Sequence, residues 1–421
     1  MSTVWRWLSR VLIALLALLL LLTSVWSYGR LSSPTDAQRE AVAVMQAQPP
    51  LPEGDNGFDL LMALPSQPDA KWLTSLQCDE ASSCVDAVQS APEANAAALE
   101  AWRPRLEAAA RALRAPTYRD KREHVSGTES ITAFQDVTNL TRLRALQFAA
   151  GQSEQALGNA CTDTLGAARW AVEPDNVLHA MIGIAIFRQQ AALIADMRSR
   201  APAETLPASC TALAQEPDTA IEGSFCNAMR GEWRYQQRML PSLMSEMEQQ
   251  SSTFERLKTN VVHDSDWMAA TTAQAFFGAC TEEARHATRG DRVHRVMPPK
   301  LRWVDRVAYP ASSILLGISM PAYGDYFELQ LDHVARRRLL AAWLQMSAMD
   351  PALTSQQRFD ALPASVRDGP RPLVLAADGS ALTVPIRGRR GEDQEPMGAR
   401  LPLAQAPSAV PTTLTEPATV P

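Results

Sequence analysis

The side chains whose types and spacing could do chemistry in this chain are six cysteines and a few imidazole and carboxylate sets. Cys78, Cys84, Cys161, Cys210, Cys226 and Cys280 form an even set, which in an oxidising compartment reads as a disulfide framework with several pairings open to it. Short spacing favours Cys78 with Cys84, flanking the polar stretch 79–83, and Cys210 with Cys226, which leaves Cys161 for Cys280. A buried free thiol at Cys161 is the alternative, because Ala160 and Leu165 read as core. Zinc fits poorly: there is no Cys-x-x-Cys, and no cysteine has histidines at ligand spacing.

Glu283 and His286 fall on one helical face, the Glu-x-x-His spacing of carboxylate-bridged di-iron sites. Such a site needs a second copy, which the sequence lacks, and Arg285 and Arg289 alongside suit a solvated face. His263, Asp264 and Asp266 could hold a cation, but an aspartate capping a helix at Trp267 explains the same letters more simply. His179, in Val-Leu-His-Ala-Met-Ile, reads as a core histidine. Gly-x-Ser-x-Gly, His-Glu-x-x-His and a Gly-rich phosphate loop are all missing. The sequence therefore offers no catalytic, cofactor-binding or metal-ligating residue, and it calls for no cofactor.

One charged feature stands out. Arg285, Arg289, Arg292, Arg295, Lys300, Arg302 and Arg306 form a basic run in a chain of formal net charge -6. The run reads as a solvated loop between helices, or as a patch facing anionic lipid headgroups or an acidic partner. The overall negative charge excludes a general attraction for nucleic acid.

The elements that would position these residues are mainly α-helical. Residues 11–22 are apolar throughout, Trp5 and Trp7 stand at one end of the stretch, and Trp26 and Tyr28 stand at the other. This is the pattern of a membrane-spanning helix with aromatic belts, placed in residues 1–30. Arg6 and Arg10 precede it, so the N-terminus is expected on the cytoplasmic side and the body beyond the membrane. A cleaved signal peptide is the competing reading; Trp26, Tyr28 and the lack of an Ala-x-Ala site favour the anchor. Residues 31–91 read as a Pro-rich exit segment with a short helix and the first cysteine loop.

A helical body is expected over 92–350. Pro92 opens a helix with apolar residues at Leu99, Trp102, Leu106 and Leu113, and a helical hairpin turns at Gly151 between Leu140, Leu143, Leu146 and Ala156, Leu157, Ala160. That hairpin resembles one tetratricopeptide unit, without a repeat at that period. Residues 225–258 read as a long helix interrupted at Pro241, with Met229, Met239, Met244 and Met247 near one side. Helices are also expected over 267–289 and 323–349. A C-terminal unit over 351–390 carries a β-hairpin around Asp378-Gly379-Ser380, and 391–421 reads as a disordered Pro-rich tail.

The order of anchor, Pro-rich exit, Asn56-Gly57-Phe58-Asp-Leu-Leu, cysteine loop, central hairpin, Gly231-Glu232-Trp233 and final helix-hairpin unit resembles a group of membrane-anchored, mainly helical envelope proteins of bacteria. The resemblance covers most of the chain. It implies a single-pass inner-membrane protein with a periplasmic body, and it brings no activity or site residue with it. The expectation is a non-enzymatic interaction or scaffold protein, held in the bilayer by its first helix and bound to another envelope protein. An envelope hydrolase whose site assembles only in three dimensions is one alternative. A module contacting anionic lipid through the basic run is another.

Overall fold

A capping box starts the body. The Thr35 hydroxyl accepts the Gln38 N–H while the Gln38 side chain accepts the Thr35 N–H at 2.8 Å, closing two orphan donors at once. This begins α2 (Asp36–Gln46) shortly after the long apolar α1 (Ser2–Leu31). The computed structural model describes residues 2–48, 50, 53–68, 83–90, 92–123, 125, 132–202, 205–215, 222–250, 264–296, 299–319, 322–387 and 398–403.

Among these residues the chain is mainly helical, with one small sheet. Short helices α3 (Gly57–Met62) and α4 (Cys84–Gln89) lead to α5 (Pro92–Arg114), and α6 (Thr132–Thr138) leads to α7 (Leu140–Ala149). The hairpin partner α8 (Ser153–Val172) follows Gly151, whose φ of 82° is one a side chain would resist. Next come α9 (Val177–Arg200) and α10 (Ala208–Leu213). The α8 and α9 pair packs most extensively, and Gly183 allows it: a Cβ there would stand 2.9 Å from the Ala167 carbonyl. These helices share one core centred on Leu106, Leu143, Leu157, Trp170 and Phe187.

A second core gathers α2, α11 (Ser224–Gln250), α12 (Ser265–Phe277) and the start of α16 (Ala322–Ala348) around Met45, Met229, Phe276 and Phe327. The Asp264 side chain caps α12 by accepting the Trp267 N–H at 2.9 Å, as its position suggests. Beyond a 3-10 turn (Gly278–Cys280) lies α13 (Glu282–Arg289), so the expected single helix over 267–289 is broken at Gly278. By contrast α11 runs through Pro241 without the expected interruption. The basic run also contains a helix that sequence reading treats as loop, α14 (Trp303–Ala308), followed by α15 (Pro310–Ser319).

The far end of α16 carries the C-terminal unit, with short helices α17 (Ser355–Asp360) and α18 (Ala364–Arg367). The expected hairpin forms from β1 (Val374–Leu375) and β2 (Ala381–Pro385), turning at Gly379 with φ 68°. It gains a third antiparallel strand, β3 (Gly398–Pro402), from the segment read as tail. Ala399, Leu401 and Leu403 are buried there, and Trp343 Nε1 donates to the Pro402 carbonyl at 2.7 Å. Residues 404–421 lie outside the described residues.

The cysteine pairing differs from the expectation. Cys161 bonds Cys210, tying α8 to α10, and Cys226 bonds Cys280, tying α11 to the 3-10 turn. Short loops do not decide the matter; packed helix faces do, since Cys161 and Cys210 are both fully buried. Cys84 is also disulfide-bonded, while Cys78 lies outside the described residues.

The C-terminal end of α1 is joined to the body. Trp26 packs on a cluster of Trp267, Ala308, Tyr309 and Leu316, and Gly29 lets α1 meet α14, where a Cβ would stand 2.7 Å from that of Ala308. Arg30 pairs with Asp264 at 3.3 Å and lies over the Tyr309 ring. Arg302 donates to Ser32 and Ser33 at 3.2 and 3.1 Å.

Charge also frames the first core. Arg144 is fully buried and meets Asp163 at 2.8 Å and Glu107 at 3.0 Å, while Arg114 reaches Asp163 from α5 at 2.7 Å. Burial opposes its charge, but Asp163 and then Glu107 outweigh that and hold the guanidinium above its ordinary pKa. Replacing Asp163 with Leu is expected to lower unfolding free energy by about 3–5 kcal/mol, as for other stranded buried charges. Urea unfolding checks this, and a loss below about 0.5 kcal/mol would show the pair to be ornamental.

Candidate functional site

Three arginines of α11, Arg230, Arg234 and Arg238, are spaced by four and therefore share one helical face. Gly231 brings that helix against the turn between α8 and α9: a Cβ at Gly231 would fall 2.0 Å from the Asp175 carbonyl oxygen. The segment after α5 forms another wall. Asn56 clamps it by donating to the Arg119 carbonyl and accepting the Arg119 N–H, both at 2.8 Å. From the opposite side α2 closes in, where Arg234 donates to the Met45 carbonyl at 3.3 Å.

The space between these walls is a cleft of about 830 Å³, lined by Arg39, Arg119, Arg122, Arg234 and Arg238, with Trp233 and Asp175. An adjoining cleft of about 560 Å³ shares Arg119, Asp175 and Arg234 and adds Arg230 and Asn227. Cations outnumber anions inside. Asp120 takes Arg122 at 2.8 Å, and Arg238 lies 3.6 Å from Asp120 and 3.5 Å from Asp175. Among the described residues, Arg230 and Arg234 have no carboxylate within 4.0 Å. Glu173 and Asp266, the other lining carboxylates, are exposed at the rim.

The titratable groups record that imbalance. Burial pulls the Arg234 pKa down; Asp175 opposes the shift, while Arg119, Arg238 and Arg230 add to it by repulsion. Burial likewise pushes the Asp175 carboxyl up against the pull of Arg238. Beneath the cleft His179 stacks on Tyr118 at 3.8 Å between ring centres, and its Nδ1 accepts the Asp175 N–H at 3.1 Å. This is the core histidine that its sequence context suggests. Glu232 is occupied in structure too: its carboxylate accepts the Val177 N–H at the start of α9 and the Tyr323 hydroxyl at 2.9 Å. Burial pushes its pKa up.

The basic run is partly paired. Arg285 pairs with Glu282, Arg289 with Glu222 and Glu282, and Arg302 with Asp305. Arg292, Arg295, Lys300 and Arg306 are exposed, with no carboxylate partner among the described residues. Glu283 and His286 both face solvent, and no set of three potential metal ligands occurs among the described residues. Of the methionine-rich side of α11, Met229 is buried in the second core; the side chains of Met244 and Met247 lie outside the described residues, as do His124 and His263.

Sequence reading passed over the cleft. Its signal was there in the arginines at 230, 234 and 238, but the same helix was read for its apolar stripe. The 118–122 segment, Tyr-Arg-Asp-Lys-Arg, gains meaning only when Asn56 fixes it opposite α11. Comparison with known protein families, curated proteins and solved structures finds no match for this chain.

A pH dependence follows from His179, which burial holds well below its ordinary pKa. Between the lowered value and the ordinary one of about 6.5, the unfolded chain binds a proton that the folded chain refuses. Stability from this group is therefore whole above about pH 6.5 and lost as pH falls below it. A His179→Phe variant is expected to lose less melting temperature than wild type between about pH 7.5 and about pH 5.5. Equal losses in the two proteins would show that the imidazole does not govern this limb.

Proposed function

We propose that this chain is a non-enzymatic, single-pass interaction protein of the bacterial cell envelope, whose helical body, on the periplasmic side of the inner membrane, receives an anionic group of a partner in the basic cleft. The observation that carries the reading is the partly unneutralised arginine set of α11, placed on a body joined to its anchor. Several features support it. The stretch Trp5–Leu31 is long and apolar enough to cross a membrane, with mean hydropathy 2.4. The other helix that passes this test, Val177–Arg200, is mostly buried as a core helix. Two described disulfides suit an oxidising compartment. The resemblance to membrane-anchored envelope proteins agrees with both.

A second reading, contact with anionic lipid, has its own observation. Beside the α1 joint, Trp303 and Ile314 are 66% and 64% exposed, next to the exposed Lys300 and Arg306. An aromatic ring with basic neighbours suits the headgroup layer. A hydrolase is favoured only by the raised carboxyl of Asp175, which is already engaged by Arg238 and by the Asp120 N–H.

The test places a photo-crosslinking residue at Gln237, in the cleft, or at Gln356, on α17, in the full chain expressed in bacterial cells. A partner adduct is expected at Gln237 alone, to be lost in an Arg234→Gln background, and a C-terminal reporter is expected to be active only outside the cytosol. A cytosolic reporter, or adducts indifferent to Arg234, would overturn the proposal.

A further inference from the structure

Among the described residues, Arg230 and Arg234 sit in the cleft walls with no carboxylate within ion-pair distance, and Arg119 and Arg238 stand close enough to add repulsion to Arg234. Placing like charges four residues apart on a helix is unfavourable by itself. Half-burying them in the cleft walls raises the cost, because water screens them less there. The contrast with Arg144 is instructive: there two carboxylates answer one buried arginine. In the cleft Asp120 and Asp175 are already held by Arg122 and Arg238. Glu173 and Asp266 are at the rim and pair with neither arginine.

Among the described residues two positive charges thus lack an ion pair, on walls that enclose a cavity large enough for a small molecule or a headgroup. A single carboxylate supplies one negative charge; a phosphate monoester supplies about 1.5 to 2, with three oxygens that accept from guanidinium forks. Arg230 and Arg234 carry such forks, one arm of Arg234 donating to the Met45 carbonyl, and both line the same recess as Asn227.

We infer that the cleft is a binding site for a phosphoryl group, held between Arg230 and Arg234 of α11 and Arg119 of the facing segment. The assignment rests on the anion-receiving reading given above and names its ligand chemistry. Two sources can supply the group. Pro34 and Arg39, just past the α1 exit, line the cleft, so a lipid headgroup can reach it from the bilayer; a water-soluble phosphate can enter from the aqueous side.

The experiment uses the full chain in nanodiscs of phosphatidylcholine, with or without phosphatidic acid, and titrates inorganic phosphate against chloride at constant ionic strength. Thermal unfolding is the readout. Wild type is expected to melt higher in phosphate than in chloride if the source is soluble, or higher in the phosphatidic acid discs if it is lipid; either result supports the site. An Arg230→Gln/Arg234→Gln variant should lose the response. It should also melt close to wild type in chloride, since the lost bond to the Met45 carbonyl is offset by relief of repulsion from Arg119 and Arg238. An Arg292→Gln/Arg295→Gln variant, altered at exposed arginines, should keep the full response. Equal melting of wild type in all conditions, or an undiminished response in the Arg230/Arg234 variant, overturns the assignment. A cleft crosslink without any phosphate response would sink the phosphoryl ligand and spare the interaction reading; a phosphate response without a crosslink would do the reverse.

Discussion

The pairing of buried charge is the constraint on which this architecture turns. Arg144 has no access to water, so its charge is tolerable only because Asp163 and Glu107 approach it. Asp163 in turn takes Arg114, so that one carboxylate holds α5, α7 and α8 in register. A comparable knot lies at the other end: Arg371 bridges Asp291 and Asp332, and Arg387 joins through Asp291. That knot fastens the chain around the sheet to α16 and to the loop after α13. Apolar packing fills the volume between these points, and the ion pairs add a directional constraint to it.

The cleft inherits its geometry from this frame. With α8 fixed against α5 and α7, the turn that follows α8 presents Asp175 at a defined place, and Gly231 allows α11 to approach it at backbone distance. The Glu232 carboxylate then holds the start of α9 and the Tyr323 hydroxyl together. Three neighbouring residues, Gly231, Glu232 and Trp233, thus serve as a spacer, an acceptor and a wall. Among the described residues that line the cleft, arginines outnumber carboxylates.

Much of the fold could be read from local signals. The apolar run of α1, the Pro92 start of α5, the hairpin at Gly151, the Asp264 cap and the turn at Gly379 each depend on residues close in sequence. What could not be read depends on residues brought together by folding. Cys161 and Cys210 are 49 residues apart, so loop length carried no information on their pairing. Strand β3 looks like tail because its partner, β2, supplies the other half of its hydrogen bonds. In α14 only Val304, Asp305 and Ala308 are buried, too short a stripe to show among so many basic letters. The cleft arginines were visible as a spacing, yet their lack of counter-charges is a property of the assembled walls.

The joint at Trp26, Gly29 and Arg30 acts as a weld rather than a leash. A flexible linker lets a domain sweep a hemisphere and sample partners at many heights; here the exit end of α1 is packed against α14 and pinned by Arg30 to Asp264. Were α1 to span a bilayer as proposed, the body would be left with spin about the membrane normal and drift in the plane. Its search for the proposed partner would then be two-dimensional, with the height of the basic cleft above the lipid set by the protein itself.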